Sequence, residues 1–392
     1  MTPAARAEAA IELLDAIIDA ARGGGAAADT LIARYFATRR YAGSKDRRAV
    51  RELVYAAIRR AGEVPASGRA ALLGLVADDP ALGALFDGSP HGPAPIVAGE
   101  PVAAAGVAPA WLVEALAASG LAGDELAALT GRAPLDLRLN PVRSSLADVM
   151  AAVPGAAPIA GLPDALRIAE GAMLEQHPLH LSGGFEVQDA GSQAVALAAG
   201  PVAGRAVIDL CAGAGGKTLA LAAAGAAPLI ACDVDRARLS RLGPRAERAG
   251  ATVETRLMNP GQETVALADW RGRADVVLID APCSGTGTWR RNPESRWRLT
   301  PARLDRLAAT QAHLLAVAQP LVRPGGALVY ITCSLLDREG ADQVAAFLAA
   351  HPGWVAEPPA LPVGRAHGAG WRLTPARDST DGFFVARLRA PC

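Results

Sequence analysis

The chain has 392 residues, with 39 lysines and arginines against 39 aspartates and glutamates, so its formal net charge is zero. That length exceeds one typical core and predicts two or three domains, while the neutrality excludes whole-chain electrostatic attraction to nucleic acid and leaves only local basic patches to supply it. Five cysteines with no C-x-x-C pair and no histidine at zinc-like spacing argue against a disulfide framework or a metal. Met1 to Ile11 reads as polar and helical and no apolar run is long enough to span a bilayer, so the expectation is a soluble cytoplasmic monomer with reduced thiols and no membrane partner.

From Ala5 to about Val76 apolar residues recur at helical spacing, as in Ile11, Leu14 and Ile18, then Val50, Leu53, Val54, Ala57 and Ile58. Residues 1–86 are therefore read as a helical domain. Between Arg34 and Arg60 it carries Arg39, Arg40, Lys45, Arg47, Arg48, Arg51 and Arg59 against only Asp46 and Glu52, a density that suits phosphate contacts as well as it suits a solvated helix face. Residues 87–106, rich in proline, glycine and alanine, read as a linker. Residues 107–200 read as a small α+β subdomain for RNA: a helix from Trp111 to Ala133, a strand Leu135–Asn140, a helix around Ala147 and a segment ending in Phe185–Gln188. In 201–392 strands and helices alternate, with strands at Val207–Leu210, Leu229–Cys232, Val253–Leu257, Val276–Ile279, Leu328–Ile331 and Phe383–Leu388. Such alternation predicts an α/β fold, a mostly parallel sheet covered by helices on both faces.

Between the first two of these elements lies Asp209-Leu210-Cys211-Ala212-Gly213-Ala214-Gly215-Gly216-Lys217-Thr218. Three glycines allow a ligand to approach the backbone, and the helix beyond presents free N–H groups. A phosphate-binding P-loop would need glycine where Cys211 stands, and the G-x-G-x-x-G frame of a dinucleotide fold is absent. About twenty residues on, Asp233 ends the second strand, placed to accept hydrogen bonds from both hydroxyls of a ribose, while Asp235 is the better helix cap. An adenosine ligand without a pyrophosphate fits, S-adenosyl-L-methionine being the common one. The chain holds only two lysines, Lys45 and Lys217, so the second marks a point where a compact ammonium is wanted in place of a forked guanidinium.

Two cysteines sit alike at strand ends: Pro282-Cys283 after Asp275–Ala281 and Thr332-Cys333 after Gly326–Ile331. The segment Asp280-Ala281-Pro282-Cys283-Ser284-Gly285-Thr286-Gly287, the following Arg290-Arg291-Asn292-Pro293-Glu294 with Trp297, Tyr330-Ile331-Thr332-Cys333-Ser334 and Asp381-Gly382-Phe383-Phe384 together resemble the RsmB/Sun (NOP-type) family of S-adenosylmethionine-dependent RNA cytosine-5 methyltransferases, nearest to the bacterial 16S rRNA enzymes. Val187-Gln188-Asp189-Ala190-Gly191-Ser192-Gln193 is similar to that family's entry to the catalytic domain. The resemblance covers roughly Val107 to Leu388 and implies a Rossmann-like class I methyltransferase domain, preceded by the small α+β subdomain and by a shortened NusB-like helical domain. It departs in the cofactor loop, where Gly213-Ala214 stands for Ala-Pro, and after the third strand, where Asn259 aligns with an aspartate that holds the adenine amine.

The chemistry implied is addition of a thiolate to carbon 6 of cytosine, which makes carbon 5 nucleophilic enough to take the methyl group, followed by loss of the carbon 5 proton and departure of the thiolate. Chemistry alone does not say which cysteine attacks. The resemblance implies Cys333 as nucleophile and Cys283 as the releasing group, with Asp280 and Lys217 near the base and the methyl donor. It implies a cofactor site of Cys211, Ala212, Gly213, Ala214, Gly215, Gly216, Lys217, Asp233, Asn259 and Asp280. For catalysis, Cys211 and Cys232 read as small core residues. Trp289, Arg290 and Arg291, with Trp297 beyond, are expected to offer cations and stacking faces to RNA. The helical domain tilts the substrate toward rRNA over tRNA, and a non-catalytic RNA-binding assembly factor is the alternative from another class.

Overall fold

The computed structural model describes residues 1–168 and 174–392. Helical periodicity near the start resolves into α1 (Pro3–Gly23), α2 (Ala28–Thr38), α3 (Ser44–Arg60) and α4 (Gly68–Asp78). Local chemistry sets the ends of α1: the Thr2 hydroxyl accepts from the Ala5 N–H at 3.1 Å, and Gly24 stops the helix in the left-handed conformation at φ 72°. The apolar faces meet in one core through Leu14, Ile17 and Ile18 of α1, Val50, Val54 and Ile58 of α3, and Leu72 of α4. Burying side chains of this kind contributes about 1.5–3 kcal/mol each.

The chain divides into two compact units, and the helical one comprises residues 1–132 together with 288–301. The second piece is bound to the helices by polar caps. The Arg296 guanidinium, fully buried, donates to the carbonyls of Ile58 at 2.6 Å and Ala61 at 2.9 Å, closing the C-terminal end of α3. Glu294 Oε1 accepts from the Ala28 N–H at 3.0 Å at the start of α2, and the Trp297 ring joins the core. The stretch 87–106 holds no helix, as read, yet it is tied down: Arg69 pairs with Glu100 at 2.5 Å and the Gly106 N–H donates to the Arg60 carbonyl at 2.9 Å. One helix was expected from 111 to 133. It is broken into Ala110–Ala118 and Asp124–Ala127, because Gly120 and Gly123 take positive φ (82° and 54°) that cannot continue a helix.

The second unit, 133–287 and 302–392, carries both sheets. A four-stranded antiparallel sheet is built from β1 (Leu135–Leu139), β2 (Ala156–Pro158), β3 (Ala165–Ile168) and β4 (Phe185–Val187) in the order β2-β3-β1-β4. The large sheet contains β5 (Val207–Asp209), β6 (Leu229–Asp233), β7 (Glu254–Leu257), β8 (Ala274–Asp280), β9 (Val322–Thr332), β10 (Val355–Glu357), β11 (Arg365–His367), β12 (Gly370–Leu373) and β13 (Phe383–Arg389). Its order is β11-β12-β13-β9-β8-β5-β6-β7, with β10 on β13; β5 to β9 run parallel and β13 returns antiparallel along β9.

Alternate residues of the parallel strands feed two cores. Val277, Ile279, Leu328 and Tyr330 face one and Val276, Leu278, Val329 and Ile331 the other, which is why these segments read as continuous apolar runs. Strand order reverses at β5, whose neighbours are β6 and β8, and the crevice beyond the carboxyl ends of such strands is where open α/β sheets take ligands. The architecture is Rossmann-like. No helix among the described residues is long and apolar enough to cross a membrane.

Candidate active site

Beyond β5 the chain turns through residues 210–215 into the helix Gly216–Ala223. Gly213 and Gly215 have φ of 55° and 89°, and a Cβ at Gly215 would stand 2.1 Å from Leu242 Cδ1, so glycine is required there on two counts. The Ala212 N–H donates to the Cys232 carbonyl at 2.8 Å. At Gly216 an added Cβ would meet only Gln188 Nε2, at 3.8 Å, and the start of the helix opens onto free space. Ala214 is held through its carbonyl by the Arg245 guanidinium.

Asp233, at the end of β6, accepts the Gly213 N–H on Oδ2 and the Asp235 N–H on Oδ1, both at 2.7 Å. Each oxygen keeps a second lone pair, so the carboxylate can also take a pair of hydroxyls. Asn259 is exposed two residues past β7. This loop, with Asp233 at its side, fits the nucleoside part of an S-adenosylmethionine-like ligand. Burial pushes the thiols of Cys211 and Cys232 up, the latter to about 12, in keeping with inert core residues.

Lys217 is 7% exposed, and its Nζ lies 2.6 Å from Asp280 Oδ2 and 5.5 Å from the centre of the Phe383 ring. Burial by itself would lower this ammonium. The charge and hydrogen bond of Asp280, with Cys333 and Asp209 beyond, outweigh it and hold the group above the ordinary lysine value, so Lys217 stays charged. Cys283 and Cys333, fifty residues apart in sequence and both half-buried, bring their Sγ atoms to 3.3 Å. The hydrogen bond with Cys333 comes first, then burial and the charges of Cys333 and Glu339, in raising the Cys283 thiol well above its usual range. The geometry thus gathers Lys217, Asp280, Cys283 and Cys333 beyond the carboxyl ends of β5, β8 and β9.

The expectation for the segment after Cys283 is corrected. Trp289 is fully buried, Arg290 is 7% exposed, and Trp297 is a core residue of the helical unit, so the two tryptophans present no stacking face; Arg291 is half-buried. In the basic stretch of the helical unit, Arg39 pairs with Glu12 and Arg51 with Asp29, while Arg40, Lys45 and Arg48 stand exposed.

Two features escaped the sequence. Asp209 is buried at the end of β5, where it accepts the Thr218 hydroxyl at 2.6 Å; burial, with Asp280 adding to it, pushes its carboxyl up to about 7. The second is a polar cluster around Glu339 behind the two thiols, and its one sequence signal is that each cysteine precedes a serine, Ser284 and Ser334. No group of three or more histidine, cysteine or acidic side chains that could hold a metal occurs among the described residues.

Residues 196–389 match the model of the family described as 16S rRNA methyltransferase RsmB/F. Ribosomal RNA small subunit methyltransferase B from Sodalis glossinidius is 35% identical over 289 residues, covering 71% of this chain and 65% of that protein. Its counterpart in Salmonella typhi is 38% identical over 231 residues, 58% of this chain and 52% of that one, so the chain spans between half and two thirds of the length of these relatives. Among solved structures, PH0851 is 24% identical with a TM-score of 0.76 over 99% of both chains, a likeness of fold.

Proposed function

The chain belongs to the RsmB/F methyltransferase family, and from that premise we propose that it transfers a methyl group from S-adenosylmethionine to carbon 5 of a cytosine in RNA, with 16S rRNA ahead of tRNA as substrate, in the cytoplasm and as a monomer. The observation that carries the reading is the thiol pair 3.3 Å apart beside the Lys217–Asp280 pair at 2.6 Å. A lone thiol at a strand end has no need of a second. Two in contact supply the two steps this reaction requires, addition to carbon 6 and removal of the carbon 5 proton.

The roles follow from the surroundings. Cys283, held well above its usual range, keeps its proton and can donate it to the sulfur of Cys333, while the charged Lys217 lies within electrostatic reach of Cys333. Cys333, which faces both, is the residue we assign as nucleophile. As its sulfur bonds to carbon 6, the ring gains electron density that the Asp280 and Lys217 pair can stabilise by hydrogen bonding around nitrogen 3. The bound S-adenosylmethionine supplies an electrophilic methyl group. After transfer the carbon 5 proton leaves to a base, by way of Cys283, and the carbon 6 to sulfur bond breaks, restoring the aromatic ring and the Cys333 thiolate. The residues we assign to the methyl donor are the 211–217 loop, Asp233 and Asp280, with the amide oxygen of Asn259 available to the adenine amine.

Purified protein incubated with 16S rRNA and labelled S-adenosylmethionine, followed by mapping of 5-methylcytosine, tests the assignment. Cys333→Ala is expected to lower turnover by at least about 10⁴-fold while leaving S-adenosylmethionine affinity within about twofold, since the thiolate serves the base and not the donor pocket. Retained turnover in that variant would move the nucleophile to Cys283, and label appearing only on tRNA would change the substrate.

A further inference from the structure

We propose that Glu339 is a positioning residue for the two thiols, its carboxylate tying the loop that carries Cys283 to the loop that carries Cys333. Glu339 is fully buried on the turn Asp337–Glu339, yet among the described residues no arginine or lysine pairs with it; its partners there are neutral. Oε1 accepts the Ser284 N–H at 2.9 Å and the Gln311 amide at 3.0 Å, and Oε2 accepts the Ser284 hydroxyl. The same Gln311 amide donates to the Pro282 carbonyl at 2.9 Å, so Pro282 and Ser284, on either side of Cys283, are fixed through one carboxylate. The main chain of Glu339 is itself held, its carbonyl accepting the Tyr330 hydroxyl at 2.7 Å.

Proton counting gives the cluster a direction. The Leu335 N–H donates to Thr286 Oγ1 at 2.8 Å, Thr286 Oγ1 lies 3.2 Å from Ser334 Oγ, and Ser334 Oγ lies 3.1 Å from Ser284 Oγ. Each hydroxyl has one proton to give. Thr286 must therefore donate to Ser334, Ser334 to Ser284 and Ser284 to Glu339, a row of three hydroxyls oriented by the anion at its end. Ser284 and Ser334 are the residues that follow the two cysteines, so this row joins the two loops immediately behind the sulfurs. A neutral amide in place of the carboxylate presents a donor where Ser284 and Gln311 already donate, and the row loses its terminus.

The thiol itself reports the link. Among the described residues, the titratable and charged groups facing Cys283 are Cys333 at the end of β9, Glu339 on the turn after it and Tyr330 within β9. Removing the negative charge of Glu339, or letting Cys283 drift from Cys333, lowers the Cys283 pKa in either case. The experiment is iodoacetamide alkylation of the full chain across pH, resolved by mass spectrometry at Cys283, Cys333 and Cys392, for wild type and Glu339→Gln. The expected result is a fall of about one pH unit in the Cys283 midpoint, roughly tenfold faster reaction near pH 8, with the exposed Cys392 unchanged. In methyl transfer the same variant should lower kcat at least tenfold with both KM values unchanged, because no substrate contact is lost. An unshifted Cys283 midpoint in a protein that keeps its melting temperature overturns the proposal. Should Glu339→Gln not fold, Ser284→Ala removes the hydroxyl part of the link and interrupts the row of hydroxyls, while leaving the charge and the Ser284 N–H bond, and is expected to lower the midpoint by a smaller amount; no change there overturns the proposal equally. Only the kcat measurement rests on the proposed activity. The alkylation needs no RNA, so a wrong substrate leaves it readable.

Discussion

The two cysteine loops look alike in sequence and are held by different means. Cys333 follows directly on β9, whose last residue, Thr332, is buried and paired across to Phe384 of β13, so sheet hydrogen bonds fix the backbone up to the thiol. Cys283 stands three residues beyond the end of β8. The last ladder bond on that side is from the Ala281 N–H to the Ile331 carbonyl at 2.9 Å; Pro282 has no N–H to give, and from there side chains take over through Gln311 and Glu339. One sulfur is placed by the sheet, the other by a buried polar cluster. A group that must form a bond to the base gains most from the stiffer support, whereas one that accepts or relays a proton in a later step tolerates the looser one. This contrast agrees with the assignment of Cys333 to attack and Cys283 to release.

The sharpest break of the comparison is Cys283→Ala. If the sheet-held thiol adds and the loop-held thiol assists elimination, this variant forms and methylates the adduct but releases it slowly, lowering turnover by about 10²-fold or more. Denaturing electrophoresis with substrate RNA and S-adenosylmethionine should show a slow-migrating protein–RNA band that disappears in the double change with Cys333→Ala. A band in Cys333→Ala alone would reverse the roles.

A smaller effect is expected where the loops touch through backbone. The Gly287 N–H donates to the Cys333 carbonyl at 2.9 Å, its carbonyl accepts the Gly382 N–H at 2.8 Å, and a Cβ on Gly287 would lie 2.1 Å from the Gly382 oxygen. Gly287→Ala must push the Cys283 loop away from the Gly382 segment, and with it strain the Gly287 bond to the Cys333 carbonyl. Turnover should fall about tenfold, with a stability loss of about 1–3 kcal/mol in urea unfolding. Since the sheet fixes Cys333, alkylation of Cys283 should change and that of Cys333 should not. The reverse pattern would mean that the sheet gives way first.

Much of the frame was legible because it follows from local rules. Strands such as Asp275–Ile279 and Leu328–Ile331 are apolar on both faces, and the glycines of the 213–216 loop mark a turn that nothing else can make. The reading failed where the answer lay in distant pairing. Trp289 and Trp297 follow the catalytic loop in sequence and looked like RNA contacts, but residues 288–301 belong to the helical unit, where Arg296 caps α3 across 238 residues of sequence separation. Glu339 meets Ser284 across 55 residues, and nothing near it in sequence signals a buried acid. The helix expected from 111 to 133 failed for a local reason that was available, Gly120 and Gly123, both of which adopt positive φ.

The third strand end, that of β5, extends the comparison to a carboxyl group and gives the smallest effect, one on stability. Asp209 has one oxygen bonded to Thr218, while the other is buried without a hydrogen-bond partner among the described residues. Its carboxyl, pushed up to about 7 by burial first, stays protonated in the folded protein over a range where the unfolded chain, at the ordinary value of 3.8, has already ionised. The folded state therefore binds the extra proton. Its advantage is complete below pH 3.8, declines as pH rises from there, and is gone above about 7, where the buried anion must be borne in full. Asp209→Asn cannot ionise, and its amide oxygen can still accept from Thr218. Relative to wild type, the variant should become progressively more stable between pH 4 and 7 and then level off, by at most about 4 kcal/mol for a shift of some three pH units. Urea midpoints of the two proteins at pH 5 and pH 8 measure this difference. Equal differences at both pH values would place the Asp209 titration outside that window and leave the β5 end as neutral toward pH as the sheet-held end of β9.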